Sequence, residues 1–599
     1  MPGAKEALIS ERQFIDPHLD QAIALESPIA HANPTARPEL IRAVQWIAGK
    51  ACDYSEIKGC RDAVTAAINA ARLILEPNDA MIRAALSPSS AKLLAPDASL
   101  ATMAACTRVM GLPDTRLCGD IAAGFPCYGS YSDSGMFREK RVESTRKFCE
   151  LHFDKNNADV ARLLELRGGS SDPKQQAILA QVTKKTYAEE ELGLAEGPFM
   201  SMDEVNEQLR SYDPGYVDGC CNVMSTFGVE QGIDCNGNPS VRRCDNAKRS
   251  HTNECLSTFE TIACENADFP SLVAALFAEH FPGPLDQCPL TIGLDDVEKA
   301  YRRMAALDAA ATVVAIWDTN VFPNRVTYWT MPGHNFGLAS AVLSFNRCSQ
   351  FAAQACRRFY GMPIAAYFDD YCMVEPTWCR SSAKEALRVV HRLMGMSLAS
   401  GSKDVPMRFK NCFLGVITDF SRFHRESIVV VQSKPVRVAK AIIRITEFLA
   451  AGVMSRTDAG SLAQKLEYTT ASGANGRIGR AALAALRQHQ YGDTETIGDP
   501  LAEALQFFLQ LLPLLPPRLL RFRKRKRRPI VVYTDAMYTP GAAIAAQVGV
   551  VIFDPEAPAF HPPMPNDDSC DYRWRHTSAV VSPEQLVPLS SRASNTSGS

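Results

Sequence analysis

Two stretches of the chain place aspartates directly after short apolar strands. In AAYFDDYCMV, Asp369 and Asp370 separate two apolar runs, which predicts a β-hairpin with the acidic pair at its turn. In LTIGLDDVEKAYRRM, an apolar strand ends in Asp295 and Asp296, and a helical turn follows. Taken singly, each stretch has an ordinary structural explanation, because aspartate tolerates turn geometry and caps helices where a strand leads into a helix.

Carboxylates from neighbouring strands are the ligands that phosphoryl-transfer chemistry needs. Two divalent cations about 3.5–4 Å apart activate the attacking hydroxyl and stabilise the leaving group. Mg²⁺ prefers oxygen ligands and keeps part of its water shell, so two or three carboxylates suffice. We therefore expect Asp296, Asp369 and Asp370 to meet and to hold two Mg²⁺ ions, with Mn²⁺ as the alternative ion. Asp295 is the alternative first ligand.

Motifs around these aspartates resemble those of reverse transcriptases, the RNA-directed DNA polymerases. The hairpin resembles the YxDD box of this family, and Asp296 to Tyr301 resembles its first catalytic motif, D-x-x-x-A-[YF]. The two motifs stand 369 − 296 = 73 residues apart. Between them, FGLASA, which begins at Phe336, resembles the PFGLxSAPxxF motif of retrotransposon enzymes.

Further motifs follow the family order. VRRCDNAKRSHTN resembles the fingers motif with its K-x-R-x-I-D-D pattern, Ser402-Lys403 resembles the lysine motif, and FLGV resembles the primer-grip strand. The resemblance covers roughly 195–490 and is nearest to DIRS-like or Ty3-like retroelements. It implies that the three aspartates are the catalytic metal ligands and that the backbone carbonyl of Val297 assists them.

The resemblance also implies nucleotide-binding roles for five residues. Tyr301 would lie under the sugar of the incoming nucleotide and exclude a 2′-hydroxyl, whereas Phe336 and Gly337 would lie against its base and the template. Arg242 would clamp the triphosphate with its forked donors. Lys403 would protonate or stabilise the leaving pyrophosphate. The alternatives are an ordinary core tyrosine at 301 and a solvated lysine at 403.

The chain departs from the family pattern at several positions. Ser240 stands where the fingers motif usually has a lysine, and Asn246 replaces its second aspartate. MPGHNFGL is longer than the usual MPFGL, and Val342 replaces the proline after Ser-Ala. These changes spare the expected metal ligands but are expected to weaken nucleotide binding. An element that decays without selection would show the same pattern.

The alternation of strands and helices from about Pro214 onward predicts an α+β fold, and the resemblance implies the right-hand arrangement of fingers, palm and thumb. Residues 121–175, rich in Gly, Ser and Asp, are predicted to be loop or extended structure. We predict, in chain order, an α-helical N-terminal region of unknown role (1–120), a loop-rich and helical segment (121–195), fingers and palm (196–430), thumb or connection helices (431–492), a linker with a basic run (493–529), a partial ribonuclease H-like α/β segment (530–590) and a disordered tail (591–599).

Two features beyond the palm bear on nucleic acid. Arg477 and Arg480, in GANGRIGRAALAAL, could meet backbone phosphates, and a solvated helix face is the alternative. The basic run RFRKRKRRP predicts a nuclear import signal or a nucleic-acid-binding linker, with a plain solvated linker as the alternative.

VVYTDAMYTP resembles the first strand of a ribonuclease H domain, in which Asp535 would be the first metal ligand. One aspartate cannot fix two metal ions, and the next helix of that fold would begin only near Glu584. We therefore expect a partial domain without ribonuclease H activity.

Composition limits the class of protein. The chain has 599 residues, of which 46% are hydrophobic and 22% charged, as in soluble globular proteins. The net charge of −2 over the whole chain predicts no polyanion partner, so the placement of charge has to be considered locally. No apolar run reaches the roughly 18–20 residues that cross a bilayer, and the N-terminus has no secretory h-region. These features predict an intracellular protein of the cytoplasm, the nucleus or both, without a membrane partner.

The 19 cysteines include no CxxC pair, which argues against a zinc ribbon. We interpret the cysteines as free thiols of a reducing compartment. A disulfide or metal cluster is the alternative for six that lie close together in sequence, Cys220, Cys221, Cys235, Cys244, Cys255 and Cys264.

These observations lead to an expected function with RNA/DNA template–primer and dNTPs as partners: DNA synthesis on an RNA or DNA template, as part of a retrotransposon. The alternative is a catalytically inactive relic that at most binds nucleic acid. An RNA-dependent RNA polymerase is a third interpretation, which Phe368 disfavours because those enzymes favour glycine before the aspartate pair.

Overall fold

The computed structural model describes residues 37–50, 53–233, 239–379, 381–401, 404–472, 478–522, 531–538, 546–553 and 574–580. The chain divides into two units, Met1–Phe522 and Arg523–Ser599, and this division falls within the predicted linker. Lys403, Arg477, Glu584 and the basic run beyond Phe522 lie outside the described residues.

The helices are, from α1 to α17, Pro38–Gly49, Tyr54–Ile74, Glu76–Ala84, Pro88–Leu93, Leu100–Met110, Leu117–Ala123, Phe153–Gly168, Pro173–Glu190, Met202–Tyr212, Phe269–His280, Ala339–Phe359, Ser382–Leu393, Phe423–Glu426, Pro435–Ala451, Arg456–Ala471, Arg480–Tyr491 and Asp499–Leu514. Among the described residues, no helix is both long enough and apolar enough to span a bilayer.

The strands are, from β1 to β18, Gly129–Ser130, Arg138–Val142, Glu196–Phe199, Met224–Ile233, Pro239–Asp245, Leu256–Thr261, Leu290–Asp296, Val314–Asp318, Arg325–Thr330, Ile364–Tyr367, Asp370–Pro376, Lys410–Phe413, Val416–Asp419, Ile428–Ser433, Arg518–Arg521, Val531–Tyr538, Ala546–Phe553 and Trp574–Val580. They form five sheets, with the orders β1-β6-β2, β3-β9-β8-β4-β5, β10-β11-β7, β12-β13-β14-β15 and β16-β17-β18. The fold is thus mixed α/β and compatible with the predicted α+β class.

The antiparallel sheet β10-β11-β7, which we call the central sheet, lies between two apolar cores. Side chains of β11 alternate between them, since successive residues of a strand point to opposite faces. Tyr371 belongs to the core that α11 and α12 share, whereas Cys372 belongs to the core that α1 and α10 share. Burial on both faces fixes the register of this sheet, because a slip of one residue would exchange the two faces.

Helices form the N-terminal part of the described chain, as predicted for residues 1–120. Leu40, Val44 and Ile47 of α1 recur at helical spacing and are buried. Helices α14 to α17 pack around a separate core that includes Ile445, Leu466 and Phe508, which confirms the helical prediction for 434–490 over the described residues.

The prediction of loop or extended structure for 121–175 is wrong for Phe153–Gly168, which is helix α7. This helix buries only a narrow stripe of side chains, Asn157, Val160 and Leu164. Other apolar residues of this helix, such as Phe153 and Leu166, lie outside the buried stripe. Its apolar periodicity is therefore weak, and the glycines and serines on either side of it dominate the local pattern.

In the C-terminal unit, β16, β17 and β18 form an antiparallel meander. The strands β16 and β17 match the predicted strand-like segments PIVVYTDA and QVGVVIFD.

Candidate active site

The acidic hairpin forms at the tip of the central sheet. Tyr367 pairs with Asp370 across a two-residue turn, Phe368-Asp369. Phe368 has a positive φ of 53°, a backbone conformation that residues other than glycine rarely adopt. The Ser349 hydroxyl on α11 donates a hydrogen bond of 2.8 Å to the carbonyl of Phe368, which braces the turn.

Strand β7 brings the first predicted carboxylate to this turn. Asp296 lies directly opposite Asp370 in the antiparallel register. Residues paired in this way project to the same face, with Cβ atoms about 4.5–5.5 Å apart. In addition, the Val297 amide donates a hydrogen bond of 3.1 Å to the carbonyl oxygen of Asp369. The structure therefore gathers Asp296, Asp369 and Asp370 at one end of the central sheet.

Asp295, the alternative first ligand, projects to the opposite face. Its Oδ1 lies 3.1 Å from Nζ of Lys384, which is buried on α12. Burial raises the pKa of Asp295, although the ion pair with Lys384 opposes this shift. The same ammonium contacts Asp404 Oδ1 and the Val405 carbonyl, both at 2.7 Å. Asp295 is therefore committed to a buried ion pair.

The donor atoms at the hairpin suit Mg²⁺, since carboxylate and carbonyl oxygens are the ligands that this ion prefers. Within the described part of the chain, however, no group of three or more His, Cys, Asp or Glu side chains is arranged to hold a metal ion. Three carboxylates with like charge repel one another unless a cation lies between them. The chemistry of the donor set thus fits the predicted ions, and the two-ion geometry stays a prediction.

Three predicted nucleotide-binding residues form a continuous layer beside the hairpin. The ring of Tyr301 meets that of Phe336 edge to face, with centroids 5.0 Å apart. The Arg242 guanidinium lies 5.4 Å from the centroid of the Phe336 ring. Burial raises the pKa of Tyr301 to about 12, and the negative charge of Asp369 adds to the rise. The phenol is therefore neutral at physiological pH, and it lies within electrostatic reach of the acidic hairpin.

Gly337 allows the end of strand β5 to approach this layer. Its φ is +133°, and a Cβ atom at this position would lie 2.1 Å from the carbonyl oxygen of Asp245. The Asp245 amide donates to the Phe336 carbonyl at 2.8 Å, and the Phe336 amide donates to Asp245 Oδ2 at 3.2 Å. A side chain at residue 337 would break this contact.

A buried network of ion pairs, which the sequence analysis missed, holds the turn that carries Tyr301 in place. Arg302, next to Tyr301, donates to Asp245 Oδ2 at 2.7 Å and to Glu189 Oε2 at 3.1 Å. Glu189 also pairs with Arg243 and, at 3.4 Å, with Lys299. Burial opposes ionisation of Glu189, but these cations outweigh it and hold its pKa at about 2.

The longer MPGHNFGL segment contributes to the same support. The buried His334 amide donates to the Met304 carbonyl at 2.8 Å, and its Nε2 lies 3.2 Å from the carbonyl oxygen of Phe125. Burial lowers the pKa of His334 to about 4, so the ring is neutral near pH 7. Asn335 accepts a hydrogen bond of 2.6 Å from Arg302. These residues fill the space behind the 3₁₀ turn Ala300–Arg303 that carries Tyr301.

A groove of about 1060 Å³ opens between the hairpin and helices α14 and α15. Tyr367 of the hairpin lines one side, with Leu414 in the turn between β12 and β13. The Tyr468 hydroxyl of α15 donates to the Leu414 carbonyl at 2.8 Å, which ties the helices to this turn. The cations that line the groove are Lys434, Arg437, Lys440, Arg444 and Lys465.

The sequence contains a signal for this groove that we did not use. Arg437, Lys440 and Arg444 recur at helical spacing in PVRVAKAIIRITEF and form one stripe of α14. Arg480, which we predicted to contact phosphates, is exposed at the first residue of α16 and is not among the residues that line the groove.

In the C-terminal unit, Asp535 lies opposite Gly549, which in turn lies opposite Ser578. The strands described there therefore bring no second carboxylate to the register position of Asp535.

Among the clustered cysteines, Cys235 lies outside the described residues, and free thiols are confirmed at the other five, Cys220, Cys221, Cys244, Cys255 and Cys264.

No protein-family model matches the chain, and no curated protein matches it significantly.

Proposed function

We propose that the chain is an RNA-directed DNA polymerase of retroelement type that extends a primer with dNTPs on an RNA or DNA template. The observation that supports this proposal most strongly is the register of the central sheet. It sets Asp370 opposite Asp296, while the Asp369 carbonyl accepts the Val297 amide. Motifs 73 residues apart in sequence thus meet at one end of the sheet, which supports a two-metal nucleotidyl transfer.

In this proposal Asp296, Asp369 and Asp370, with the Val297 carbonyl, hold two Mg²⁺ ions. When bound, these ions would lower the pKa of the primer 3′-hydroxyl and neutralise charge on the leaving pyrophosphate. The carboxylates fix the reacting groups on a rigid sheet end, which favours catalysis through positioning.

The layer beside the hairpin would receive the nucleotide. The Tyr301 ring, held between Phe336 and Phe345, would occupy the space that a ribose 2′-hydroxyl needs. Arg242 would bind triphosphate oxygens with its planar fork of donors. Gly337 would lie against the template, and its lack of a side chain lets the backbone of Asp245 approach from behind. Lys403 keeps its proposed role at the pyrophosphate.

The basic groove would take the template–primer duplex. Side chains such as Lys440 and Lys465 would contact backbone phosphates, which supply affinity without sequence specificity. The stripe on α14 accounts for this role better than Arg480 does, because the groove reaches Tyr367, the residue paired with Asp370.

Primer extension on poly(rA)/oligo(dT) with Mg²⁺ and dTTP tests the proposal. We expect extension by the natural chain and none by Asp370→Asn, which removes one ligand charge at almost constant shape. Glu298→Gln is the matched control, because it neutralises an exposed carboxylate two residues from Asp296 and should leave extension unchanged.

The alternative is a catalytically inactive relic that at most binds nucleic acid. This alternative is favoured by the departures from the family pattern at Ser240 and Asn246. It is also favoured because no group of three or more His, Cys, Asp or Glu side chains among the described residues is arranged to hold a metal ion. A folded chain that binds poly(rA)/oligo(dT) but never extends it would establish this alternative. Extension with ribonucleotides in preference to dNTPs would instead indicate an RNA-dependent RNA polymerase.

A further inference from the structure

A nucleoside triphosphate concentrates several negative charges, and metal ions neutralise only part of them. The remaining charge must meet cationic side chains of the protein. Arg242 on β5 is one such side chain. On the same strand, this chain has Ser240 at the position where the fingers motif of reverse transcriptases usually has a lysine. The site therefore lacks a cation that its chemistry calls for.

Helix α8 supplies an ammonium group at the same place. This helix, Pro173–Glu190, packs against strands β4 and β5. The Nζ atom of Lys185 donates a hydrogen bond to the backbone carbonyl of Val241, the residue between Ser240 and Arg242. A lysine from outside the fingers motif thus reaches the strand beside the position where the motif lacks one.

Glu189, the acidic side chain one turn away, does not form an ion pair with Lys185. Glu189 follows one turn later on the same helix, but Arg243 and Arg302 occupy its carboxylate, with Lys299 at 3.4 Å. Among the ion pairs of the described residues, Lys185 has no carboxylate partner. Burial and the positive charge of Lys299 lower the pKa of Lys185; the negative charge of Glu189 opposes this shift, and Arg242 adds to it. An anion bound between these groups would relieve that repulsion.

We propose that Lys185 is a nucleotide-binding residue that holds the triphosphate of the incoming dNTP together with Arg242, in place of the lysine missing at position 240. This inference rests on the proposed polymerase function. It also extends the nucleotide site into the segment 121–195, which lies outside the range of the motif resemblance.

The test measures binding of dTTP by the full chain on a dideoxy-terminated poly(rA)/oligo(dT) complex with Mg²⁺, where no bond can form. We expect Lys185→Gln, which keeps a hydrogen-bond donor but loses the charge, to raise the Kd for dTTP about tenfold. The Kd for the template–primer and the melting temperature should not change. Lys185→Arg should restore most of the affinity, because it restores the charge.

Lys184→Gln is the matched control, because Lys184 is exposed on the same helix. This variant should bind dTTP as tightly as the natural chain does. Equal affinities of Lys185→Gln and the natural chain, or an equal loss in Lys184→Gln, would overturn the proposal, as would a natural chain that does not bind dTTP. A natural chain that binds dTTP but does not extend a free primer would refute the polymerase function while the Lys185 measurement still decides the binding role.

Discussion

At the end of strand β7, Asp296 lies on one face of the central sheet and Asp295 on the other. The face of Asp296, which we call the acidic face, also carries Asp370 and Tyr367 and opens toward the basic groove. The opposite face sets Asp295 beside its register partner Tyr371 under helix α12. Two identical neighbouring side chains thus meet different surroundings.

The opposite face is built for stability. Tyr371 is fully buried and packs edge to face against His391 of α12, with ring centroids 5.1 Å apart. Further along β11, the buried carboxylate of Glu375 pairs with Arg61 of α2. Both acids described on this face are therefore paired with a lysine or an arginine. The acidic face instead brings three carboxylates to one end of the sheet, which supports the proposal of a functional site there.

The largest effect that would sharpen this comparison is expected from Asp296→Asn. Loss of one ligand charge should lower the rate of primer extension about a thousandfold, because each metal contact contributes several kcal/mol in the transition state. The melting temperature should not fall, since the substitution relieves repulsion with Asp370. Steady-state extension and thermal unfolding measure the two quantities.

Asp295→Asn is the control for this prediction, because it makes the same chemical change one residue away on the other face. Its amide oxygen can still accept a hydrogen bond from Lys384, so extension should persist. If Asp295→Asn abolished extension while Asp296→Asn did not, the assignment of the two faces would be reversed.

The second prediction concerns the opposite face alone. Lys384→Met leaves the buried Asp295 without its cation and should lower the free energy of unfolding by about 3–5 kcal/mol. The double variant Asp295→Asn/Lys384→Met should recover most of this loss, because no uncompensated charge remains. Urea unfolding of the single and double variants measures the difference, and a double variant as unstable as the single one would contradict the prediction.

Local sequence was sufficient to predict the strands of the central sheet and its acidic turn, whereas the pairing of β7 with β11 was expected from the chemistry of the carboxylates and from the family resemblance. The runs on either side of Asp369 and Asp370 are continuously apolar, as in strands that are buried on both faces, and aspartate favours turns. The hairpin could therefore be predicted without tertiary information. The short turn at Ala300 and Tyr301 and the long helix α11 were also predictable, because their signals are local in sequence. In each case the signal lies within about 20 residues of sequence.

Other parts could not be predicted because their partners are distant in sequence. Glu189 and Arg302 are 113 residues apart and meet only because α8 packs on β5. Neither residue stands out locally, since a charged residue on a helix is usually solvated. The same limit hid Lys384 as the partner of Asp295. The basic stripe of α14 differs from these, because its spacing was visible in the sequence.

The third prediction tests the layer that the acidic face presents to a nucleotide. Tyr301→Ala removes the ring between Phe336 and Phe345 and should raise the relative incorporation of ribonucleotides on the order of tenfold to a hundredfold. Tyr301→Phe is the matched control, since it keeps the ring and should keep the selection. Parallel extension reactions with dTTP and UTP measure the ratio, and equal selectivity of all three proteins would show that Tyr301 does not contact the sugar.

The smallest effect is expected at the groove that joins the acidic face. Lys440 is exposed on α14 and forms no ion pair among the described residues, whereas Arg444 is already paired with Glu447 and Asp458. Lys440→Ala should therefore weaken template–primer binding several-fold at low salt. It should also reduce the slope of log K against log salt by about 0.7–0.9, the loss of one phosphate contact. Lys58→Ala provides the control, because Lys58 is a solvent-exposed lysine of α2 that already pairs with Asp62. Salt titrations of binding measured by fluorescence anisotropy distinguish the two variants. An unchanged slope in Lys440→Ala would mean that the duplex does not run through the groove. The cations that line the groove beside the acidic face would then need a different explanation.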